Sequence, residues 1–187
     1  MLGNLIGYML TRGATPELLL AWAKKTPDEP IMSAKNPGAV YMERYWLFNE
    51  ITDHKRKYRW IPFSIRMHVI HEPDNDRHYH DHPFNAISWV LRGGYTETRL
   101  EPQYPDHEHL PVAEYWDDNE GMVAITRHVV PGQYIKLGFD QYHRITALTQ
   151  GPSISFFAFG DYLGMWGFLV HGLKMPHKLY RQQFERK

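Results

Sequence analysis

DRHYHDHPFNAISWVLRGGYTE, residues 76 to 97, opens with three histidines at alternate positions, His78, His80 and His82, and runs through an apolar stretch to a glycine pair. In an extended chain residues two apart share a face, so His80 and His82 can bring two rings to one point. Two histidines at this spacing also fit a plain polar strand face, and a metal site needs a third ligand from elsewhere. The surroundings of the stretch decide between these readings.

The chain has 187 residues, 43% hydrophobic and 14% aromatic, enough for one packed core and too few for two full domains. Its 21 basic residues balance 21 acidic ones, which argues against a nucleic-acid surface. Of 12 histidines, five fall between His68 and His82, and histidine is the commonest metal ligand. There is no cysteine, so thiolate sites, disulfides and thiol nucleophiles are excluded. An oxidising compartment is unsupported, and a cytoplasmic location is the expectation. The N-terminal MLGNLIGYMLTRG lacks a basic region ahead of its apolar run and is too short to span a bilayer, so it reads as a surface helix with no membrane role.

Thr15-Pro16-Glu17 predicts a second helix, with Thr15 as N-cap and an end near Lys25 before Pro27. YMERYWLFNEI reads as either a strand or a short helix. From Ile61 the pattern is β-type: IPFSIRMHVI alternates, with Phe63, Ile65, Met67 and Val69 on one face and Ser64, Arg66 and His68 on the other. NAISWVLRG, YTETRLE, AEYWDD, MVAITRHVV, QYIKLG, HRITALT and ISFFAFGDY follow as short runs between turn residues, the pattern of an all-β sandwich or barrel. MWGFLVHGLKMPHKLYRQQFERK reads as a closing strand or turn and a short basic helix. The expected division is an N-terminal helical and extended segment over 1–60, a barrel over 61–170 and an extension over 171–187.

His80-Asp81-His82, Gly93-Gly94 and His143 carry a resemblance to the cupin family. Its first motif is His-x-His, three or four residues, Glu, six residues, Gly. From His82 that spacing reaches Ala86 or Ile87 and then Gly93 or Gly94. Its second motif is Gly, five residues, Pro, one, Gly, two, His, three, Asn. From Gly132 this passes Gly138 and Asp140, meets His143 and ends at Ala147. The stretch over roughly 61–170 is also similar to small stand-alone bacterial and phage cupins often labelled dioxygenase-like, through Asp76-Arg77, Leu91-Arg92-Gly93, Tyr95-Thr96-Glu97, His143-Arg144 and Trp166-Gly167-Phe168. The resemblance implies a double-stranded β-helix, or jelly-roll barrel, with an N-terminal helix and a short C-terminal extension. It also implies a divalent metal on His80, His82 and His143.

The motif's glutamate is absent, since Asn85, Ala86, Ile87 and Ser88 occupy its region. Three neutral imidazoles would leave the metal its full charge and up to three open positions, which suits an anionic ligand. Iron(II) is the first expectation, with zinc, nickel or manganese also compatible. Glu97 either folds back as an acidic ligand or is an exposed strand residue. His78 is expected at the mouth or surface. Asp81 is expected to organise the turn or to accept a hydrogen bond from Arg77 or a ligand's far ring nitrogen. Arg66 and His68 either line the barrel, where Arg66 would clamp a carboxylate, or lie on a surface face. Arg144 should point away from the metal, while Tyr95 and Tyr142 are either phenol donors at the site or core residues. His107 and His109 read as an exposed loop.

These readings favour a metal-dependent cupin, an oxygenase-type enzyme on a small molecule, with Arg66, Tyr95 and Glu97 as catalytic candidates. A metal-dependent sugar isomerase or epimerase, with Glu97 or His68 as base, and a non-catalytic metal-stabilised binding barrel are the alternatives. The family resemblance also implies a homodimer.

Overall fold

The alternating run at residues 61–70 becomes a strand whose two faces organise the rest of the chain. The computed structural model describes residues 2–53, 55–74, 78–102 and 122–184. His107, His109 and the run AEYWDD lie outside them. The N-terminal part forms helices α1 (Leu2–Leu10) and α2 (Thr15–Ala23) and strands β1 (Ile31–Met32), β2 (Val40–Phe48), β3 (Ile51–Thr52) and β4 (Lys55–Arg56). Next come β5 (Ser64–Ile70), β6 (Ala86–Arg92), β7 (Tyr95–Pro102), β8 (Met122–Val129) and β9 (Tyr134–Leu137). The chain ends with β10 (His143–Leu148), β11 (Ser153–Phe159), β12 (Gly167–Val170), β13 (Leu173–Pro176) and α3 (His177–Phe184).

One sheet runs β1-β2-β5-β11-β6-β9 and a second runs β10-β7-β8. The β12-β13 hairpin joins the second sheet through His80, whose backbone bridges His143 on one side and Phe168 on the other. This is a jelly-roll barrel, with the core between the two sheets. No helix among the described residues is long and apolar enough to cross a membrane.

Cross-strand register fixes which side chains enter the barrel. Arg66 of β5 stands opposite Trp46 of β2 and Phe157 of β11, and His68 opposite Arg44 and Ser155. The inward core is Trp46, Ile70, Phe84, Ala86, Val90, Tyr95, Val129, Ile135, Leu137, Ile145, Phe157 and Phe159. Arg66 and His68 therefore lie on the inner face. The opposite face, with Met67, Trp89 and Leu91, is roofed by Ile6 and Leu10 of α1 and Leu19 and Leu20 of α2. Met67 and Leu91 are fully buried there, each contributing about 1.5–3 kcal/mol of transfer free energy.

The glycine pair is a steric requirement of the β6-β7 turn. Gly93 and Gly94 have φ of 71° and 130°, and a Cβ on Gly93 would stand 2.5 Å from the Pro152 carbonyl oxygen. Asp140, at the position where the second motif has glycine, also takes a left-handed φ of 61°, which aspartate tolerates better than most residues.

Some expectations need correction. Thr15 is already helical and Ala14 occupies the cap position without a side-chain hydrogen bond, because the helix starts one residue earlier than Pro16 alone suggested. YMERYWLFNEI is a strand, and since β2 pairs along β5, residues before 61 build the barrel sheet as well as packing on it. The tail forms the expected strand and short helix, with Tyr180 stacked on Phe168 at 3.8 Å.

Candidate metal centre

The histidine stretch is not a regular strand. His80 makes a one-residue bridge, its N–H donating to His143 O at 3.1 Å and its carbonyl accepting from His143 N at 2.9 Å. Alternation survives within the bridge. His80 and His82 face inward, while the Asp81 carboxylate is fully buried on the other side. Asp81 Oδ1 accepts from Gly167 N at 2.7 Å and Oδ2 pairs with Lys174 Nζ at 2.5 Å. Asp81 therefore holds the C-terminal hairpin and serves no ligand's far nitrogen.

The register brings in the third ring. Ligand nitrogens of His80, His82 and His143 all lie within 4.8 Å of one another, and the Nε2 atoms of His82 and His143 are 2.8 Å apart. Burial pushes His80 down to about 4 against the opposing charge of Asp74, and pushes His82 well below the usual range, helped by His143 and His80. Both rings are neutral at pH 7 and present lone pairs, which is the donor set a divalent ion needs.

Glu97 is fully buried behind this cluster. Its Oε1 accepts from His143 Nδ1 at 2.7 Å and from an Arg99 NH2 at 2.9 Å. Burial would raise the Glu97 carboxyl, but the His143 hydrogen bond and the charges of His143 and Arg99 reverse this and hold it at about 2. Arg99 is anchored in turn on Lys136 O at 2.7 Å and Gln141 Oε1 at 2.9 Å. With Nδ1 donating to the carboxylate, His143 turns Nε2 toward the other two histidines. Asp74 plays a looser part behind His80. Its Oδ2 accepts from Ile145 N at 2.7 Å and lies 3.8 Å from His80 Nδ1, and Tyr41 donates to its Oδ1. The acid missing at Ala86 thus reappears as two buried carboxylates behind the rings.

The other expected residues fall into distinct places. His78 packs edge-on against Tyr180, 3.1 Å from its hydroxyl, and is no part of the cluster. Tyr95 is buried in the inner core with its hydroxyl paired to Ser88, and Tyr142 packs with Leu100 and Leu169. Burial raises both phenols. Arg144 points away, over the Tyr79 ring at 5.5 Å. The Arg66 guanidinium lies 3.9 Å over Trp46 and pairs with Asp28 at 3.1 Å. The His68 ring stacks on Phe157 at 4.6 Å.

Aromatic rings connect these inner residues. His82 stacks on Phe84 at 5.7 Å, Phe84 meets Phe159 at 4.6 Å, and Arg66 lies 5.1 Å from the Phe159 ring. Exposed Tyr162 touches Phe84 edge-on at 5.5 Å. A groove lined by Arg99, Arg127, His128 and Lys136 runs between β8 and β9, away from the converging histidine nitrogens. Neither Arg99 nor Asp74 was singled out from sequence. Strand parity with Glu97 marks Arg99, whereas Asp74 sits in a turn-like stretch with no periodicity to reveal it.

The fold and the site together define a jelly-roll barrel with a candidate three-histidine metal centre. No family model matches the chain, and no curated protein matches it. Among solved structures, it is similar to a cupin 2 conserved barrel domain protein from Rhodopseudomonas palustris, at 11% identity and a TM-score of 0.47 over 78% of this chain and 76% of that one. An oxalate oxidase in complex with glycolate aligns at 12% identity and 0.47, covering 83% and 70%. DMSP lyase DddQ from Ruegeria pomeroyi aligns at 13% and 0.48, covering 83% and 66%. At these identities the activities of those proteins stay with them.

Proposed function

We propose that the chain is a metal-dependent oxygenase-type cupin in which His80, His82 and His143 hold a divalent ion, iron(II) first, and a small molecule reacts beside it. The observation that carries this reading is the convergence of three ring nitrogens within 4.8 Å in a barrel interior where two of the rings are held neutral by burial. The bound metal supplies Lewis acidity and, as iron, a redox couple for oxygen chemistry. The chain's own residues do the rest. Glu97 fixes the His143 tautomer, Phe84 and Phe157 exclude water beside His82, and Arg66 supplies a buried cation for the substrate.

The isomerase reading needs a general base, and the structure does not favour one. Glu97 is bound by both His143 and Arg99 and held at about 2, while burial holds His68 at about 3. The test is metal analysis of protein purified without added metal, followed by oxygen uptake with small organic acids. Iron with oxygen consumption supports the reading. Stoichiometric zinc with no open coordination position removes it and leaves a metal-stabilised binding barrel.

A further inference from the structure

Buried polar atoms without partners are few in a folded protein, and each calls for an explanation. Among the described residues, Arg66 Nε, His68 Nε2, His80 Nδ1, Glu97 Oε2 and Arg99 Nε are all buried with no hydrogen-bond partner. Two of these, on Arg66 and His68, belong to one strand face, two residues apart, and neither is used by the histidine cluster. His68 is 9% exposed, so water cannot readily serve its ring.

The local charge has a sign. Arg66 and Arg44 both pair with Asp28, at 3.1 and 3.6 Å, leaving one more cation than anion beside His68. Burial, with help from the same two guanidiniums, keeps His68 neutral, so it can donate from Nε2 without adding charge. Phe157, Phe159 and Phe84 then lead from this corner toward His82, with Phe157 and Phe159 5.8 Å apart.

We infer that Arg66 and His68 form a carboxylate subsite, so that the ligand of this barrel is a small organic acid. Its carboxylate meets Arg66 Nε–H and His68 Nε2–H, and its apolar body lies on Phe84, Phe157 and Phe159 toward the histidine cluster. This deepens the proposed function by naming the substrate class, and it rests on that reading for the far end of the ligand. A sugar would leave the excess cation unmatched and set hydroxyls against phenyl rings.

The test is calorimetric titration of chelator-treated protein with benzoate and hexanoate, and with benzamide and hexanamide as neutral counterparts. At least one acid should bind about tenfold or more tightly than its amide, the range of a charge-assisted hydrogen bond. Arg66→Gln should remove that preference, and His68→Phe, which keeps the ring stack, should weaken acid binding several-fold. Because Arg66 also pairs with Asp28, folding of each variant is checked by near-ultraviolet circular dichroism. If Arg66→Gln does not fold, His68→Phe and the ring nitrogen shifts of His68 in the wild-type protein on adding acid decide the matter. Equal binding of acid and amide, no binding of either acid, or unchanged affinity in a folded variant overturns the subsite. Acid binding without metal retention would remove the metal reading and keep the subsite. Metal retention without acid binding would do the reverse.

Discussion

Glu97 Oε1 stands 2.7 Å from His143 Nδ1 on a carboxylate that is completely buried, and Arg99 shares the same oxygen at 2.9 Å. Glu97→Gln keeps the shape and removes the charge, and its amide can turn a donor toward Nδ1, which would favour the wrong His143 tautomer. Affinity for cobalt(II), followed by its visible absorption, should fall about ten- to a hundredfold. An unchanged affinity would mean that the carboxylate serves Arg99 alone.

His143→Ala should abolish metal retention, measured by elemental analysis of protein purified without chelator, because it removes one of three donors. His78→Ala should leave the metal content unchanged, since that ring packs on Tyr180. Retention in the first variant, or loss in the second, would require a different ligand set.

Acid should destabilise the metal-free protein in two overlapping stages. Burial lowers His68 from 6.5 to about 3, His80 to about 4 and His82 well below 6.5, so in that range the unfolded chain binds more protons and stability falls as pH falls. Glu97, lowered from 4.5 to about 2, has its stabilisation in full above 4.5 and loses it toward 2. Thermal melts from pH 7 to 4 should therefore show a midpoint declining from about pH 6.5, less steeply in His68→Phe. The same slope in both proteins would assign the acid response to other groups.

Gly93 and Gly151 both have left-handed backbone, at φ of 71° and 58°, but only Gly93 has backbone atoms where a Cβ would go. Gly151→Ala should cost about 1 kcal/mol and Gly93→Ala about 3 kcal/mol or more in urea denaturation. Equal losses would show that the β6-β7 turn yields freely.

The barrel was legible in the sequence because short alternating runs between turn residues have few other solutions, and β5 to β11 fall where those runs predict them, while AEYWDD lies outside the described residues. The grouping of His80, His82 and His143 was legible through motif spacing. Alternation in IPFSIRMHVI separated two faces, but the choice of the inner one depends on which face the α1 and α2 side chains roof, a long-range fact that periodicity does not carry. Asp81 looked like a partner for a ring or a turn because its true partner, Lys174, is 93 residues away in a tail with no motif. The role of Glu97 behind His143 needed the β7-β10 register, which places Arg99 opposite His143 and Glu97 opposite Ile145.

The alternation at His80, Asp81 and His82 makes one short piece of chain answer to two ends of the molecule. Its outer residue grips the C-terminal hairpin through Gly167 and Lys174, while its neighbours aim their rings into the barrel. The tail is therefore a tether on the centre. Slack in it is felt three residues wide at the point where two of the three ring nitrogens are aimed, so the last strand and helix belong to the machinery of the site although none of their side chains enters the histidine cluster.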